Sequence, residues 1–240
     1  MNAQEQLREM TRKQHQHEYV CRGLFERKGA LSYIGHLDLK AVFERALRRA
    51  GLPILYSQGF NPRPMIVFAL PLGVGIDTEG DWLDVSMEVP FDPDEYVRRI
   101  NAELPEGLKV IRAVSIDEPQ NSIMSVVTCA EYRIEAKGIT KPVLDLFSKQ
   151  EVITMKKSKG REIEVDIRPL LIKPLTSSTP DSVEYMCYAG STKNLRPDVL
   201  LKALCESGGF SKEEADEARV TRIALYGGEY PDISAIEGLT

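Results

Sequence analysis

One short turn of this sequence carries an unusual set of polar and aromatic side chains. It has the sequence YSQGFNPRP over residues 56–64 and lies between two apolar, strand-like runs. Its amides, ring and guanidinium group are of the kinds that read base edges, stack on bases and bind phosphate. An ordinary hairpin turn needs only Asn-Gly or Asp-Gly. We therefore predict that a substrate or an RNA contacts Gln58, Phe60, Asn61 and Arg63.

A purely structural role is the alternative for the same turn. Gly59 and Asn61 tolerate left-handed backbone. Two prolines, Pro62 and Pro64, stiffen the exit and remove two backbone donors. On this interpretation the polar side chains cap the turn's own backbone, and Phe60 packs into an interface between two domains.

A histidine and an aspartate stand two residues apart at the start of a predicted helix, in the stretch GHLDL. This pair, His36 and Asp38, is the candidate for acid–base chemistry or for binding a metal ion. A metal site would need a third and a fourth ligand, and the nearby sequence supplies neither. Asp38 also complements the positive end of the helix, so a structural role for the pair stays open.

The predicted helix over residues 36–50 carries bases on its polar face. Arg45, Arg48 and Arg49 lie within about one helical turn. The segment from Arg22 to Arg63 has a net charge of +5, although the whole chain has a net charge of −5. A local positive surface of this kind can neutralise the phosphates of a partner. An ordinary solvated helix face is the alternative.

Several chemistries have no sequence signature in this chain. Its four cysteines are scattered and show no C-x-x-C spacing, so we expect buried, reduced thiols rather than a zinc ribbon or an iron–sulfur cluster. No P-loop, G-x-S-x-G or H-E-x-x-H motif is present. Gly73-Val74-Gly75 precedes no helix and is predicted to be a bend. We expect no cofactor and no metal, and we lean against an enzyme.

The composition is that of an ordinary globular chain. It has 240 residues, of which 42% are hydrophobic and 28% are charged, and this length accommodates two domains. No apolar run approaches the roughly 18–20 residues of a membrane span. The first 18 residues lack the apolar stretch of a signal peptide. We therefore expect a cytoplasmic protein that does not contact a membrane.

Strand and helix patterns follow the same order in each half of the chain. In the first half they predict a strand at 19–27, a helix at 36–50, strands at 53–57, 65–70 and 82–89, a helix at 92–104 and a strand at 108–116. In the second half they predict a strand at 131–136, a helix at 141–150, strands at 151–157, 161–170 and 183–189, a helix from 197 and a strand at 220–226.

These patterns predict an α+β fold of two ferredoxin-like halves, each with the order β-α-β-β-β-α-β. The halves span residues 19–118 and 129–228, and residues 119–128 link them. Residues 1–18 and 229–240 are predicted to be tails.

The stretch FERKGALSYIGHLDLKAVFERALRRAGLPILYSQGFNPRPMIVFALPLGVG, residues 25–75, resembles the opening of a bacterial radical-SAM-linked family of unknown function. The segments ELPEGL at 103–108, RPD at 196–198 and RIALY at 222–226 extend the resemblance along the whole chain. In that family this module stands alone or follows a cobalamin-binding radical SAM protein. The resemblance implies a radical SAM partner enzyme and work near an RNA or another substrate of radical chemistry. It implies no activity.

The architecture also resembles that of tRNA pseudouridine synthases, which pair two ferredoxin-like halves around an RNA cleft. Their nucleophilic aspartate lies on a loop that corresponds to residues 57–64. That loop contains no carboxylate here, and Asn61 cannot act as the nucleophile. The resemblance therefore implies a conserved cleft without the covalent chemistry, and fold analogy alone carries no function.

We interpret the chain as an accessory or substrate-binding protein that works with a radical SAM enzyme and recognises RNA, such as tRNA or rRNA. The turn and the basic helix face are expected to line one hollow between the halves, with His36 and Asp38 at its floor. Two alternatives stay open. The chain could be an RNA-modifying enzyme that uses His36 and Asp38, or a protein–protein scaffold that docks the radical SAM partner and binds no nucleic acid.

Overall fold

Helices pack on a largely antiparallel sheet, which confirms the predicted α+β fold class. The computed structural model describes residues 19–116, 121–158, 160–175, 179–207 and 209–236. The predicted N-terminal tail lies outside the described residues.

The first half contains four strands and two helices in the order of a split βαβ unit. Its elements are β1 (Tyr19–Arg27), a 3₁₀ turn (Gly29–Tyr33), α1 (His36–Arg49), β2 (Ile66–Phe68), β3 (Ile76–Met87), α2 (Pro93–Asn101) and β4 (Leu108–Ile116). α1 forms because Leu39, Phe43 and Leu47 recur on one face, and all three are buried. α2 begins where the Asp92 carboxylate accepts a hydrogen bond from Glu95 N at 2.8 Å.

The second half repeats this order with an inserted hairpin. Its elements are α3 (Ile123–Val126), β5 (Val127–Glu135), α4 (Thr140–Ser148), β6 (Ile153–Ser158), β7 (Arg161–Asp166), a 3₁₀ turn (Arg168–Leu170), β8 (Leu171–Pro174), β9 (Ser182–Tyr188), α5 (Pro197–Glu206), α6 (Lys212–Glu217), β10 (Arg219–Glu229) and β11 (Asp232–Ala235). β6 and β7 form a separate two-stranded sheet. α6 is a short helix that the sequence analysis missed, although Ser211 and Glu214 form a capping box at its start.

One sheet runs through both halves in the order β4-β1-β3-β10-β5-β9-β8. β2 pairs with β3, and β11 pairs with β10. In the first half β1 lies between β3 and β4, and in the second half β5 lies between β9 and β10, which is the ferredoxin-like strand order once the β6–β7 hairpin is set aside. The core forms two buried apolar clusters, and the cluster of the second half also includes Ala69 and Trp82 from the first half. Apolar packing therefore continues across the junction.

The junction between the halves is a short parallel pairing of β3 with β10. Ile76, Asp77 and Thr78 pair with residues 220–222, and the other strand pairs in the described residues are antiparallel. Beyond this pairing, a Cβ added to Gly80 would lie 2.5 Å from the carbonyl oxygen of Ile223. A glycine at position 80 therefore allows the two backbones to approach.

Two strand predictions in the first half differ from the structure. Residues 53–57 form only isolated pairs, Ile54 with Met87 and Tyr56 with Pro64. β3 begins at Ile76, six residues before the predicted start at 82, and extends over 12 residues. The early residues of β3 pair with β10, which lies far away in the sequence, so a local pattern does not reveal this part of the strand.

The predicted linker and C-terminal tail contain regular structure. Residues 121–128 include α3, whose Ile123 is fully buried. β10 continues to Glu229, and β11 then pairs with it, within the segment predicted to be a tail. The domain boundaries themselves stay a prediction.

Candidate functional site

The turn at residues 56–64 forms a braced projection, which we call the tip hairpin. Ser57 N donates to Arg63 O at 2.8 Å, and Arg63 N donates to Ser57 Oγ at 3.1 Å. Below them, Tyr56 pairs with Pro64. Gly59 has a φ of +129°, a conformation that L residues with a side chain rarely adopt. The backbone of the tip hairpin is therefore held by its own hydrogen bonds.

The side chains of the tip hairpin point into solvent. Phe60 is fully exposed, at 105% relative accessibility, and Gln58, Asn61 and Arg63 are exposed as well. Within the described residues, none of the three polar side chains forms a hydrogen bond or an ion pair. The structural alternative, in which Phe60 fills an interface and the polar groups cap the turn, is therefore wrong for these four side chains.

The basic end of α1 lies at the same end of the sheet as the tip hairpin. Only four residues separate Arg49 from Ile54, which pairs with Met87 at the end of β3. Arg45 and Arg48 are exposed, and neither has an ion-pair partner in the described part of the chain. Arg49 is occupied, because its Nε donates to a Glu103 carboxylate oxygen at 2.7 Å.

His36 and Asp38 lie at the opposite end of α1, about 20 Å from Arg49 along the helix axis. The His36 ring packs against Phe68 in a T-shaped arrangement, and its Nδ1 is buried with no hydrogen-bond partner among the described residues. Burial lowers the pKa of His36, and nearby positive charges lower it further. Asp38 is exposed. The predicted floor residues are therefore not grouped with the basic end of the helix.

A cavity of about 1000 Å³ lies between the two halves. The loop at residues 70–76 lines it from the first half, and α5, α6, β5 and β10 line it from the second. Its apolar lining includes Val74, Leu201 and Ala215. The sequence analysis did not identify this cavity.

Two buried arginines, one from each half, hold the cavity loop by its carbonyl groups. Arg27 Nη2 donates to Gly73 O at 2.9 Å and to Ile76 O at 2.5 Å. Arg222 Nη2 donates to Leu70 O at 2.8 Å. The conformation of this loop therefore depends on both halves of the protein.

Tyr132 and Arg222 are buried polar residues of the cavity lining, and we call them the cavity floor. Arg222 forms a two-point ion pair with the buried Asp81, at 2.8 and 2.7 Å. Arg222 Nη1 also donates to the Tyr132 hydroxyl oxygen at 3.4 Å. Burial is the largest influence on Tyr132 and raises the pKa of its hydroxyl. The hydroxyl therefore keeps its proton at neutral pH.

Four charged groups of α5 and its start line the cavity as pairs, and Lys212 and Asp216 of α6 add one charge of each sign. Arg196 forms an ion pair with Asp198, and Lys202 lies 3.8 Å from Glu206. Cys205 also lines the cavity and is partly exposed, whereas Cys21, Cys129 and Cys187 are buried. Among the described residues, no group of three or more His, Cys, Asp or Glu side chains is placed to hold a metal ion.

The cavity and the tip hairpin lie at opposite ends of β3. Ile76, at the first position of this strand, lines the cavity, and Met87, at the last position, pairs with Ile54 below the hairpin. The separation along the strand is about 35 Å. The predicted contact residues do not line this cavity: Gln58, Phe60, Asn61, Arg63, Arg45, Arg48 and Arg49.

One signal in the sequence points towards the cavity. Arg222 interrupts an otherwise strand-like, largely apolar run, RVTRIALY. An arginine at an inward position of a strand requires a buried partner, because an unpaired buried charge is very costly. The sequence alone does not say that this partner is Asp81 or that the pair lies beside a cavity.

The fold and these sites define a mixed α+β protein with an exposed tip hairpin and a separate cavity between two similar halves. The chain belongs to the family described as uncharacterized protein conserved in bacteria (DUF2344), whose profile matches residues 21–197. That match includes the tip hairpin and ends at the start of α5. No curated protein matches the chain. No helix in the described ranges combines the length and the apolar character needed to cross a membrane.

Proposed function

We propose that this protein is a cytoplasmic accessory protein that binds RNA for a radical SAM enzyme. The observation that carries the proposal is the fully exposed Phe60 on the braced tip hairpin. An aromatic ring in full contact with water stabilises nothing in the fold. Burial of this ring by a partner would remove apolar surface from water and would be favourable. The polar groups around Phe60 favour an RNA as that partner.

The polar neighbours of Phe60 support a nucleic acid as this partner. Successive unpaired bases stack on exposed aromatic rings, and amide side chains bond to base edges. Gln58 and Asn61 supply such amides on the same hairpin. Arg63 and Arg48, neither of which has an ion-pair partner in the described ranges, supply positive charge at the same end of the sheet. We propose that Phe60 stacks on a base while the arginines contact phosphates.

The proposal assigns no bond-making step to this chain. The His36 side chain is partly buried against Phe68, and Asp38 is an exposed residue of the first turn of α1. Neither lies at the end of α1 that carries Arg48. The chemistry is therefore assigned to the radical SAM enzyme, and this protein would present the RNA to it.

Titration of a fluorescent single-stranded RNA and of bulk tRNA, at about 50 and 200 mM salt, tests the proposal by anisotropy. Phe60→Ala should weaken binding by about fivefold to one-hundredfold, since one stacked base contributes about 1–3 kcal/mol. Phe60→Trp keeps an aromatic surface and should retain affinity. Arg63→Ala and Arg48→Ala should each reduce the slope of log K against log salt by about 1.

Arg161→Ala is the matched control, because Arg161 is an exposed arginine on β7 in the other half. This control should bind RNA as the unaltered protein does. Unchanged affinity and salt slope in both Arg63→Ala and Arg48→Ala would contradict the proposal.

Co-purification with the radical SAM partner separates the accessory role from its alternatives. Stable association with the enzyme, without RNA retention by the complex, would favour a docking scaffold. Turnover of RNA by the isolated chain, lost in His36→Ala, would favour an enzyme. We expect RNA retention without turnover by this chain alone.

A further inference from the structure

We propose that the cavity between the two halves binds an uncharged, largely apolar small molecule whose carbonyl oxygen accepts a hydrogen bond from the Tyr132 hydroxyl. This site is separate from the RNA surface, because none of the proposed RNA contacts lines the cavity, and Leu70, the lining residue nearest in sequence to the tip hairpin, is about 20 Å of extended chain from Pro64. The volume of about 1000 Å³ is sufficient for a drug-sized molecule.

The Tyr132 hydroxyl determines where the acceptor atom of a bound molecule would lie. Its oxygen accepts a hydrogen bond from Arg222 Nη1, so its own hydrogen must be donated elsewhere. No acceptor for this hydrogen is present among the described residues. A buried donor without an acceptor is costly, and Tyr132 is 2% exposed and lines the cavity. An acceptor atom of a bound molecule would complete the arrangement.

An uncharged ligand is expected because the ionised groups that line the cavity are balanced, most of them as ion pairs and Lys212 and Asp216 of α6 as one group of each sign. Asp81 balances Arg222 at the floor, and Asp198 balances Arg196. Lys202 lies close to both Glu206 and Glu162. A charged ligand would lose its hydration without gaining an unpaired counter-charge at the floor. An uncharged ligand avoids that cost.

The apolar part of the lining favours a ligand with a largely hydrocarbon body. Val74, Ile76, Leu201, Ala215 and Val220 surround the polar floor with hydrocarbon surface. This arrangement, with mostly apolar walls and a few fixed polar groups, is typical of small-molecule sites. A flat aromatic ketone combines the apolar body and the single acceptor that the cavity requires.

Prodan, an uncharged naphthalene ketone whose emission shifts to the blue in apolar surroundings, is the probe for the test. The full chain should bind prodan saturably with a blue shift. Tyr132→Phe removes only the hydroxyl and should weaken binding by about threefold to tenfold. Tyr188→Phe is the matched control, since Tyr188 is a β9 residue outside the lining, and it should not change the affinity.

A second variant and a second readout locate the bound probe. Ala215→Trp should fill the cavity and remove prodan binding, whereas Ala102→Trp, on the exposed end of α2, should not. Circular dichroism verifies that each variant is folded. In the unaltered protein, saturating prodan should also slow maleimide labelling of Cys205, the partly exposed cysteine of the lining.

Three results would overturn the inference. They are no saturable binding of prodan, equal binding by the unaltered, Tyr132→Phe and Ala215→Trp proteins, or labelling of Cys205 at the same rate with and without the probe. The anionic dye anilinonaphthalene sulfonate, which carries no carbonyl, should bind at least tenfold more weakly than prodan. Equal affinity for this dye would refute the proposed ligand class.

Discussion

Arg222 on β10 and Asp81 on β3 form an ion pair across the junction of the two halves. Each side chain is only 2% exposed, and the two hydrogen bonds measure 2.8 and 2.7 Å. Arg222 also donates to the carbonyl oxygen of Leu70 in the cavity loop. One guanidinium group therefore connects two strands from different halves and a wall of the cavity.

Removal of this arginine should destabilise the protein strongly. Arg222→Met leaves the Asp81 carboxylate buried without its ion-pair partner, and we expect a loss of about 3–5 kcal/mol in the free energy of unfolding. The double variant Asp81→Leu/Arg222→Met removes both charges and should lose less than Arg222→Met alone. Urea denaturation measures both values. Arg161→Met, at an exposed position, is the control and should change stability by less than about 0.5 kcal/mol.

A double variant that is no more stable than Arg222→Met would contradict this account. It would mean that the carbonyl bonds of Arg222, rather than its charge pairing with Asp81, make the larger contribution.

Replacement of Gly80 should open the junction. Its Cβ would approach the Ile223 carbonyl oxygen to 2.5 Å, and this neighbour is backbone that cannot rotate away. We expect Gly80→Ala to cost about 1–3 kcal/mol, in the range of other overpacking substitutions. Thermal and urea unfolding provide the measurement. Gly209→Ala is the control, because an added Cβ there has no contact shorter than 3.5 Å. Equal stability of the two variants would show that β3 and β10 can separate at no cost.

His36 should make the protein sensitive to mild acid. Burial lowers the pKa of His36 in the folded state, and the charges of Lys40, Arg222 and Arg27 lower it further. The unfolded chain, with a histidine pKa of about 6.5, therefore binds a proton more readily than the folded chain. The contribution of neutral His36 to the free energy of unfolding is fully present above about pH 6.5 and is lost as the pH falls towards the folded-state pKa.

The comparison with His36→Gln isolates this effect. Between about pH 7.5 and 5.5, the unaltered protein should lose more unfolding free energy than the variant. An NMR titration of the ring protons, assigned by their absence in His36→Gln, should give a pKa below 6.5 or thereabouts. A value above that, or identical acid sensitivity of both proteins, would contradict the buried environment of this ring.

Local patterns predicted the elements that carry a clear apolar period of their own, even where their sheet partners are distant in sequence. β1 and β4 have the predicted bounds, and α1 differs from its prediction by one residue. In these elements the apolar spacing alone indicates the type and the bounds of the element. The start of β3 was missed because its partner, β10, comes about 140 residues later in the chain. β11 was missed for a different reason: it forms a hairpin with the adjacent β10, but its four residues, DISA, carry no strand pattern of their own.

Of the two candidate sites, the tip hairpin could be predicted from the sequence and the cavity could not. The tip hairpin was identified from its residue types, because a turn that needs only glycine and asparagine also carried Phe60 and Arg63. The cavity was not, because its lining comes from a loop near residue 73 and from helices after residue 196. Only Arg222, a charged residue within a largely apolar strand, indicates a buried polar site in that region. The placement of two distant segments against each other depends on the strand order, which a single sequence does not give.

β3 has a further consequence through its length alone. Ile76 at its first position lines the cavity and Met87 at its last position pairs below the aromatic hairpin, so the proposed polymer at the hairpin would leave the cavity open to a metabolite-sized compound. The proposed RNA and the proposed small molecule could therefore bind together in one ternary complex.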